Sequence, residues 1–168
     1  GETAENLAFR PVSTHLLPHY KDGLFELAFP EIVNYVDATF NTIPDKAHRA
    51  IAGLSMGGMH TLMITANYPD MFNYIGLYSA GVDFSHLNME EVPAYANLDA
   101  KLTKLAQGNP KLYWIACGNE DWLLPANKRL MERMDKDGLK YTFHESPRGH
   151  LWCNWRQYSL LFIPQLFK

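Results

Sequence analysis

A chain of 168 residues with 47% hydrophobic and 20% charged side chains is long enough to close a core of its own and has the composition of a globular protein. A net charge of −3 without a basic stripe speaks against a nucleic-acid partner, and no apolar run approaches the ~18 residues of a membrane span. Two cysteines, Cys117 and Cys153, are too few for a disulfide framework; they can pair or stay free, and two buried thiols are the default expectation.

No internal repeat, low-complexity tract or linker divides the chain, so one domain over 1–168 is expected. Residue 1 is Gly rather than Met and no signal peptide is legible, so location cannot be read there. Residues 1–21 carry Pro11 and Pro18 with little periodicity and read as irregular. In 22–41, Leu24, Leu27, Ala28, Ile32, Val36 and Phe40 fall near helical spacing, and Pro30 predicts that the helix begins or is interrupted there. "RAIAGL" (49–54) reads as a buried strand, "MGGMHTLMITANY" (56–68) as a helix stopping before Pro69, and "YIGLYSA" (74–80) as a second strand. Residues 81–97 are polar, irregular and long enough for a functional loop. A helix over 97–108 closes at Gly108, and "KLYWIAC" (111–117) is a third strand. A helix over 125–138 has Pro125 in its first turn and Gly138 after its end. "KYTFHE" (140–145) is a fourth strand, and 152–167 is a closing helix. Alternation of this kind predicts an α/β fold with a mostly parallel sheet, helices on its faces and the working loops at the carboxyl ends of the strands.

Between the first strand and its helix lies Gly53-Leu54-Ser55-Met56-Gly57, a G-x-S-x-G nucleophile elbow. A sharp strand-to-helix turn holds the serine in a strained conformation and lifts its hydroxyl out of the sheet. Side chains at the flanking positions would strike the strand and helix, and glycine removes them. The Met56 N–H is left aimed at an oxyanion formed on the serine, with the positive end of the helix behind it. The bland alternative, a glycine-rich structural turn, leaves both the serine and its partners below without a role.

A nucleophilic serine needs a base and an acid to orient it, and in this motif's fold they follow in the order Ser, Asp or Glu, His. His15, His19 and His48 precede the serine, His60 points away from it on the elbow helix, His86 sits in the long loop, and His144 lies inside a strand. His150, in "SPRGH" after the last strand, is where a base belongs. For the acid, Asp121 follows the third strand in "GNEDW", Asp83 is a rival one strand earlier, and Glu120 reads as a cap or surface carboxylate. Trp122 and Trp152 flank the acid and base and are candidate substrate platforms, as are Phe84 and Tyr95 in the long loop, although each type is more often core. Trp114, Trp155 and Phe162 read as core, and Met56, Met59 and Met63 as packing on the elbow helix.

The segments "HRAIAGLSMGGMHTL", "YPDMFNYIGLYSAG", "CGNEDWL" with Asn127, and "GHLWCNWRQYSLLFIPQLF" together resemble the esterase D family of α/β-hydrolases, and within it the bacterial feruloyl and acetylxylan esterases of carbohydrate esterase family 1. The Trp-x-x-Trp-Arg after His150 separates this pattern from the related S-formylglutathione hydrolases. The resemblance implies Ser55 as nucleophile, His150 as base, Asp121 as acid and Met56 N–H as one oxyanion donor, with no cofactor and no metal. It implies a serine esterase acting on a small ester or an acylated plant polysaccharide, with neither nucleic acid nor membrane as partner and a periplasmic or extracellular location. An acyltransferase would share the same triad, and an inactive fragment that binds carbohydrate would share the fold.

The family carries several strands ahead of the elbow, including an "HG" loop that supplies the second oxyanion donor. No such segment precedes Ser55, so the chain is expected to be the carboxyl-terminal portion of a catalytic domain, weakly active alone. The strand 49–54 would then keep an open edge, and the chain would either pair through it, as a homodimer or with a separate amino-terminal chain, or be poorly soluble alone.

Overall fold

The computed structural model describes residues 22–85 and 88–168, so the expectations placed on 1–21 and on His86 lie outside the described residues. Helix α1 (Leu24–Thr39) leads into strand β1 (Ala50–Leu54) and helix α2 (Met56–Asn67), then strand β2 (Tyr74–Tyr78) and helix α3 (Leu98–Gln107). Strand β3 (Leu112–Gly118), helix α4 (Leu124–Lys136), strand β4 (Thr142–Ser146) and helix α5 (Trp152–Phe162) complete the order. The sheet runs β1-β2-β3-β4, and every neighbouring pair is parallel.

Period-two alternation along the central strands builds two cores. Ile75, Leu77 and Ile115 point into the larger one, where Leu62, Met63, Leu105 and Met134 of α2, α3 and α4 meet them. Tyr74, Tyr78, Trp114 and Ala116 point the other way, against Trp155, Tyr158 and Phe162 of α5. A sheet covered on both faces explains why β2 and β3 are apolar almost without interruption.

β1 departs from the buried strand expected of it: its residues are half-buried, and Ala52 is exposed. β2 is its only strand neighbour among the described residues, and its other edge borders an open groove shared with Tyr78, Phe162, Ile163 and Leu166. α1 also departs from expectation, running unbroken through Pro30. Packing overrides the missing hydrogen bond. Phe29 and Val33, on either side of the proline, rest on the core, and the Glu26 carboxylate is held by His60 Nδ1 at 2.8 Å and by the Tyr95 hydroxyl at 3.1 Å. The closing helix ends at Phe162 and gives way to a 3₁₀ turn over Ile163–Gln165 that contains Pro164, short of the 167 expected.

The long segment after β2 is more structured than its composition suggests. A 3₁₀ turn over Met89–Glu91 precedes Ala94 and Tyr95, both fully buried, so Tyr95 is core. Both cysteines are free, but only Cys117 is buried; Cys153 is half-buried and its sulfur accepts from Arg148 Nη1 at 3.4 Å. No described helix is long and apolar enough to cross a membrane.

Candidate active site

The elbow is built by close approach. Ser55 has φ 53 and ψ −118, a conformation that non-glycine residues adopt only when their surroundings enforce it. Those surroundings are specific: Ser55 N–H continues the ladder to Tyr78 O at 2.9 Å, and Ser55 O accepts from Gly58 N at 3.0 Å and from Gly81 N at 2.7 Å. A Cβ on Gly53 would lie 2.1 Å from Gly57 O, and one on Gly58 would lie 2.6 Å from Ala80 Cβ. At Gly57, by contrast, a Cβ would meet nothing within 4 Å among the described residues. The second collision expected at Gly57 thus falls on Gly58, because it is Gly58 that faces the end of β2. Gly53→Ala drives a methyl into backbone that has nowhere to go, and it is expected to destabilise the fold by about 1–3 kcal/mol. Thermal denaturation monitored by circular dichroism reads this as a lowered Tm.

Met56 opens α2, so its N–H is among the first four that helix geometry leaves without an intrahelical partner. It follows the serine directly, at the positive end of the helix.

Asp121 and His150, the candidate acid and base, arrive on loops at the carboxyl ends of β3 and β4. His150 Nδ1 lies 2.9 Å from Asp121 Oδ2, and His150 Nε2 lies 3.0 Å from Ser55 Oγ. Both His150 and Asp121 are 3% exposed. A carboxylate can only accept, so Nδ1 carries the proton and donates to it, and Nε2 is left free to accept from the serine hydroxyl. Asp121 also accepts from Leu123 N–H at 2.9 Å through its other oxygen. Burial pushes the Asp121 carboxyl up, but the hydrogen bonds from His150 and Leu123 N–H, with the nearby Ser79 hydroxyl, outweigh it and hold the group below its ordinary value. Burial together with the Asp121 charge pushes the neighbouring Cys117 thiol up to about 12, so it stays protonated and inert.

The imidazole sits between two indoles. Trp122 lies over it with ring centroids 4.1 Å apart and keeps 65% of its surface exposed; Trp155 meets it edge-on at 4.8 Å. Trp152 stands one ring further out, edge-on to Trp155 at 5.0 Å. Of the two indoles named from the sequence as platforms, only Trp122 is in ring contact with the base, and Trp155, read as core, touches it from below.

The rival groups are engaged elsewhere. Asp83 accepts from Ser85 N–H and lies 3.8 Å from Arg129. His144 stacks on Trp114, His48 bonds Asp45, Glu120 is exposed, and Phe84 is half-buried against the larger core. Three contributors gave little signal in the sequence. Ser79, fully buried with φ 45, ends β2 beside Asp121. Gly118 and Asn154 interlock the acid and base loops: a Cβ on Gly118 would lie 2.1 Å from Arg148 O and 3.0 Å from Asn154 Nδ2.

The family model described as "Putative esterase" matches residues 18–162. An endo-1,4-beta-xylanase/feruloyl esterase of Xylanibacter ruminicola is 53% identical over 139 residues, which is 82% of this chain and 17% of that protein. An acetyl esterase of Caldicellulosiruptor saccharolyticus is 27% identical over 157 residues, 76% of this chain and 58% of that protein. A solved ferulic acid esterase superposes with a TM-score of 0.66 at 25% identity, over 83% of this chain and 59% of that one. The chain therefore spans less than two thirds of the length of each of these relatives. With a parallel sheet, an elbow after β1 and these matches, the chain belongs to the Esterase family and has the α/β-hydrolase fold.

Proposed function

We propose that the chain is a serine esterase that hydrolyses feruloyl or acetyl esters carried by plant polysaccharide, with Ser55 as nucleophile, His150 as general base and Asp121 as the acid that orients it. The observation that carries this reading is the continuous relay of two hydrogen bonds, 3.0 Å from Ser55 to His150 and 2.9 Å from His150 to Asp121. The substrate class rests on the names of the xylanase/feruloyl esterase and the acetyl esterase it resembles.

The chemistry follows from the geometry. As Ser55 Oγ attacks the ester carbonyl carbon, its proton passes to His150 Nε2. The carbonyl oxygen becomes an oxyanion and is met by Met56 N–H at the start of α2. The imidazolium that forms is held between the Asp121 carboxylate and the Trp122 face. Collapse breaks the bond to the alcohol oxygen of the sugar, which leaves with the proton from Nε2. An acyl group remains on Ser55. A water then gives its proton to Nε2, attacks the acyl carbon and releases the acid, and the proton returns to Ser55 Oγ.

A panel of methyl ferulate, acetylated xylo-oligosaccharide and short p-nitrophenyl esters tests the reading, together with a fluorophosphonate probe. Turnover and a label on Ser55 that is lost in Ser55→Ala support it. Neither turnover nor label would overturn it, and transfer of the acyl group to a sugar in place of water would redefine it as an acyltransferase.

Trp122 is assigned as the aromatic platform for the acyl or sugar ring, with Trp152 extending it. Stacking on an exposed indole contributes about 1 kcal/mol, so Trp122→Ala is expected to raise KM for methyl ferulate roughly fivefold, with a smaller change for an acetyl ester that has no ring to stack. Equal changes in KM for the two esters would show that Trp122 serves the base and not the substrate.

A further inference from the structure

The loop that carries the base is short, strained and without a ladder of its own, so what fixes it fixes His150. It runs from Ser146 through Pro147, Arg148 and Gly149, with Arg148 at φ 71. Three successive carbonyls along it need donors. Asn154 Nδ2 donates to Pro147 O and to Gly149 O, each at 3.0 Å, and Glu120 N–H donates to Arg148 O at 3.1 Å.

We infer that Asn154 is the positioning residue of the base: its carboxamide, mounted on α5, sets where the 147–150 loop presents His150 Nε2 to Ser55. Three features make it more than a helix-end contact. An Asn NH₂ has two hydrogens, and both are used on carbonyls two residues apart, a match that an isosteric carboxylate cannot make. Asn154 stands in the first turn of α5 and is 7% exposed, where its polar atoms need partners. The acid loop is shaped to admit it: the missing side chain at Gly118 leaves room for Arg148 O and for Asn154 Nδ2, and Asn119 N–H bonds Ser146 O at 2.8 Å.

The same helix face adds two further holds. One turn on, the Tyr158 hydroxyl lies 2.6 Å from Ser146 Oγ at the start of the loop, and Trp155 meets the imidazole edge. Asn154 is the member of this face that binds the loop backbone on both sides of Arg148. A displacement of about 1 Å in a reacting group can cost on the order of 100-fold in rate.

The kinetic half of the test rests on the serine-esterase reading, so a second readout is independent of turnover. The parent and Asn154→Asp are compared for kcat and KM on p-nitrophenyl acetate, well below each protein's Tm, and for the far-downfield proton resonance of His150 Nδ1–H. Asn154→Ala replaces the Asp variant if that one does not fold. The expected result is a fall in kcat of about 100-fold with KM within about threefold, and a shifted or broadened resonance. A folded variant with kcat and resonance both like the parent's would overturn the inference and leave Asn154 a structural residue. If the parent turns over no ester, the serine-esterase reading fails and the resonance alone decides the role of Asn154.

Discussion

Ser55→Ala is expected to lower kcat by about 10⁶-fold and to leave the fold intact. The exchange removes one hydroxyl from a half-buried position and leaves the backbone at φ 53 with another L-residue, so the elbow has no new strain to absorb. What it removes is the hydroxyl that the proposed mechanism uses to attack the acyl carbon. His150→Ala should be nearly as damaging, because Nε2 is the acceptor 3.0 Å from that hydroxyl. A base without a nucleophile and a nucleophile without a base both stop the same step. The double variant should therefore be barely slower than either single one, its residual rate coming from binding and the oxyanion site. Progress curves on p-nitrophenyl acetate, with a fluorophosphonate label as the second readout, check all three. Parent-like turnover in Ser55→Ala would remove the acyl-enzyme altogether.

Asp121→Asn is expected to cost about 10⁴-fold, as the equivalent exchange does in a well-studied serine protease. The carboxylate is what keeps the proton on Nδ1. An amide can turn its NH₂ toward that nitrogen, which moves the proton to Nε2 and leaves nothing to accept from Ser55. The same variant should change the acid limb of stability. The Asp121 carboxyl titrates below its ordinary value in the fold, so its contribution is present above the unfolded value of about 3.9 and disappears as pH falls through the lower folded one. Asp37, bonded by Thr42 and Arg49, and Asp45, bonded by His48, are lowered in the same direction and lose their contributions in the same window. The difference between parent and Asp121→Asn isolates Asp121. The Tm of the parent, measured between about pH 2 and pH 5, should fall more steeply with acid than that of the variant. Parallel curves would mean that Asp121 is no better held in the fold than in the unfolded chain.

The fold was legible where one physical signal decided the outcome. Strands buried on both faces must be apolar throughout, and β2 and β3 are. Helices in a parallel sheet must alternate with strands, and they do. Ser55, Asp121 and His150 are far apart in the chain but could be named together, because in such a sheet every loop after a strand opens at the same end. Outcomes set by competing tertiary contacts were not legible. Pro30 argues for a break in α1, and nothing local reveals that Phe29, Val33 and Glu26 find partners strong enough to carry the helix through it. The half-exposed flank of β1 depends on what lies beside it, not on its five residues. Gly53 and Gly57 match a motif, whereas Gly58 and Gly118 matter only through the backbone they face. Trp155 and Asn154 were hidden for another reason. A buried indole and a buried amide on a helix read as core and polar filler until the loop they hold is in view.

Because α5 holds the base loop, the order of synthesis has a chemical consequence. A ribosome adding about 5–20 residues per second releases β1, the elbow and α2 well before Asn154, Trp155 and Tyr158 exist. Until those side chains dock, Pro147 O and Gly149 O lack the Asn154 amide and the imidazole lacks the Trp155 edge. On the proposed serine-esterase mechanism, the nascent chain thus displays its serine while that serine is still an ordinary alcohol. Reactive acyl donors in the surroundings meet an inert hydroxyl, and the residue becomes vulnerable to them only once the helix that follows the base has closed over the loop.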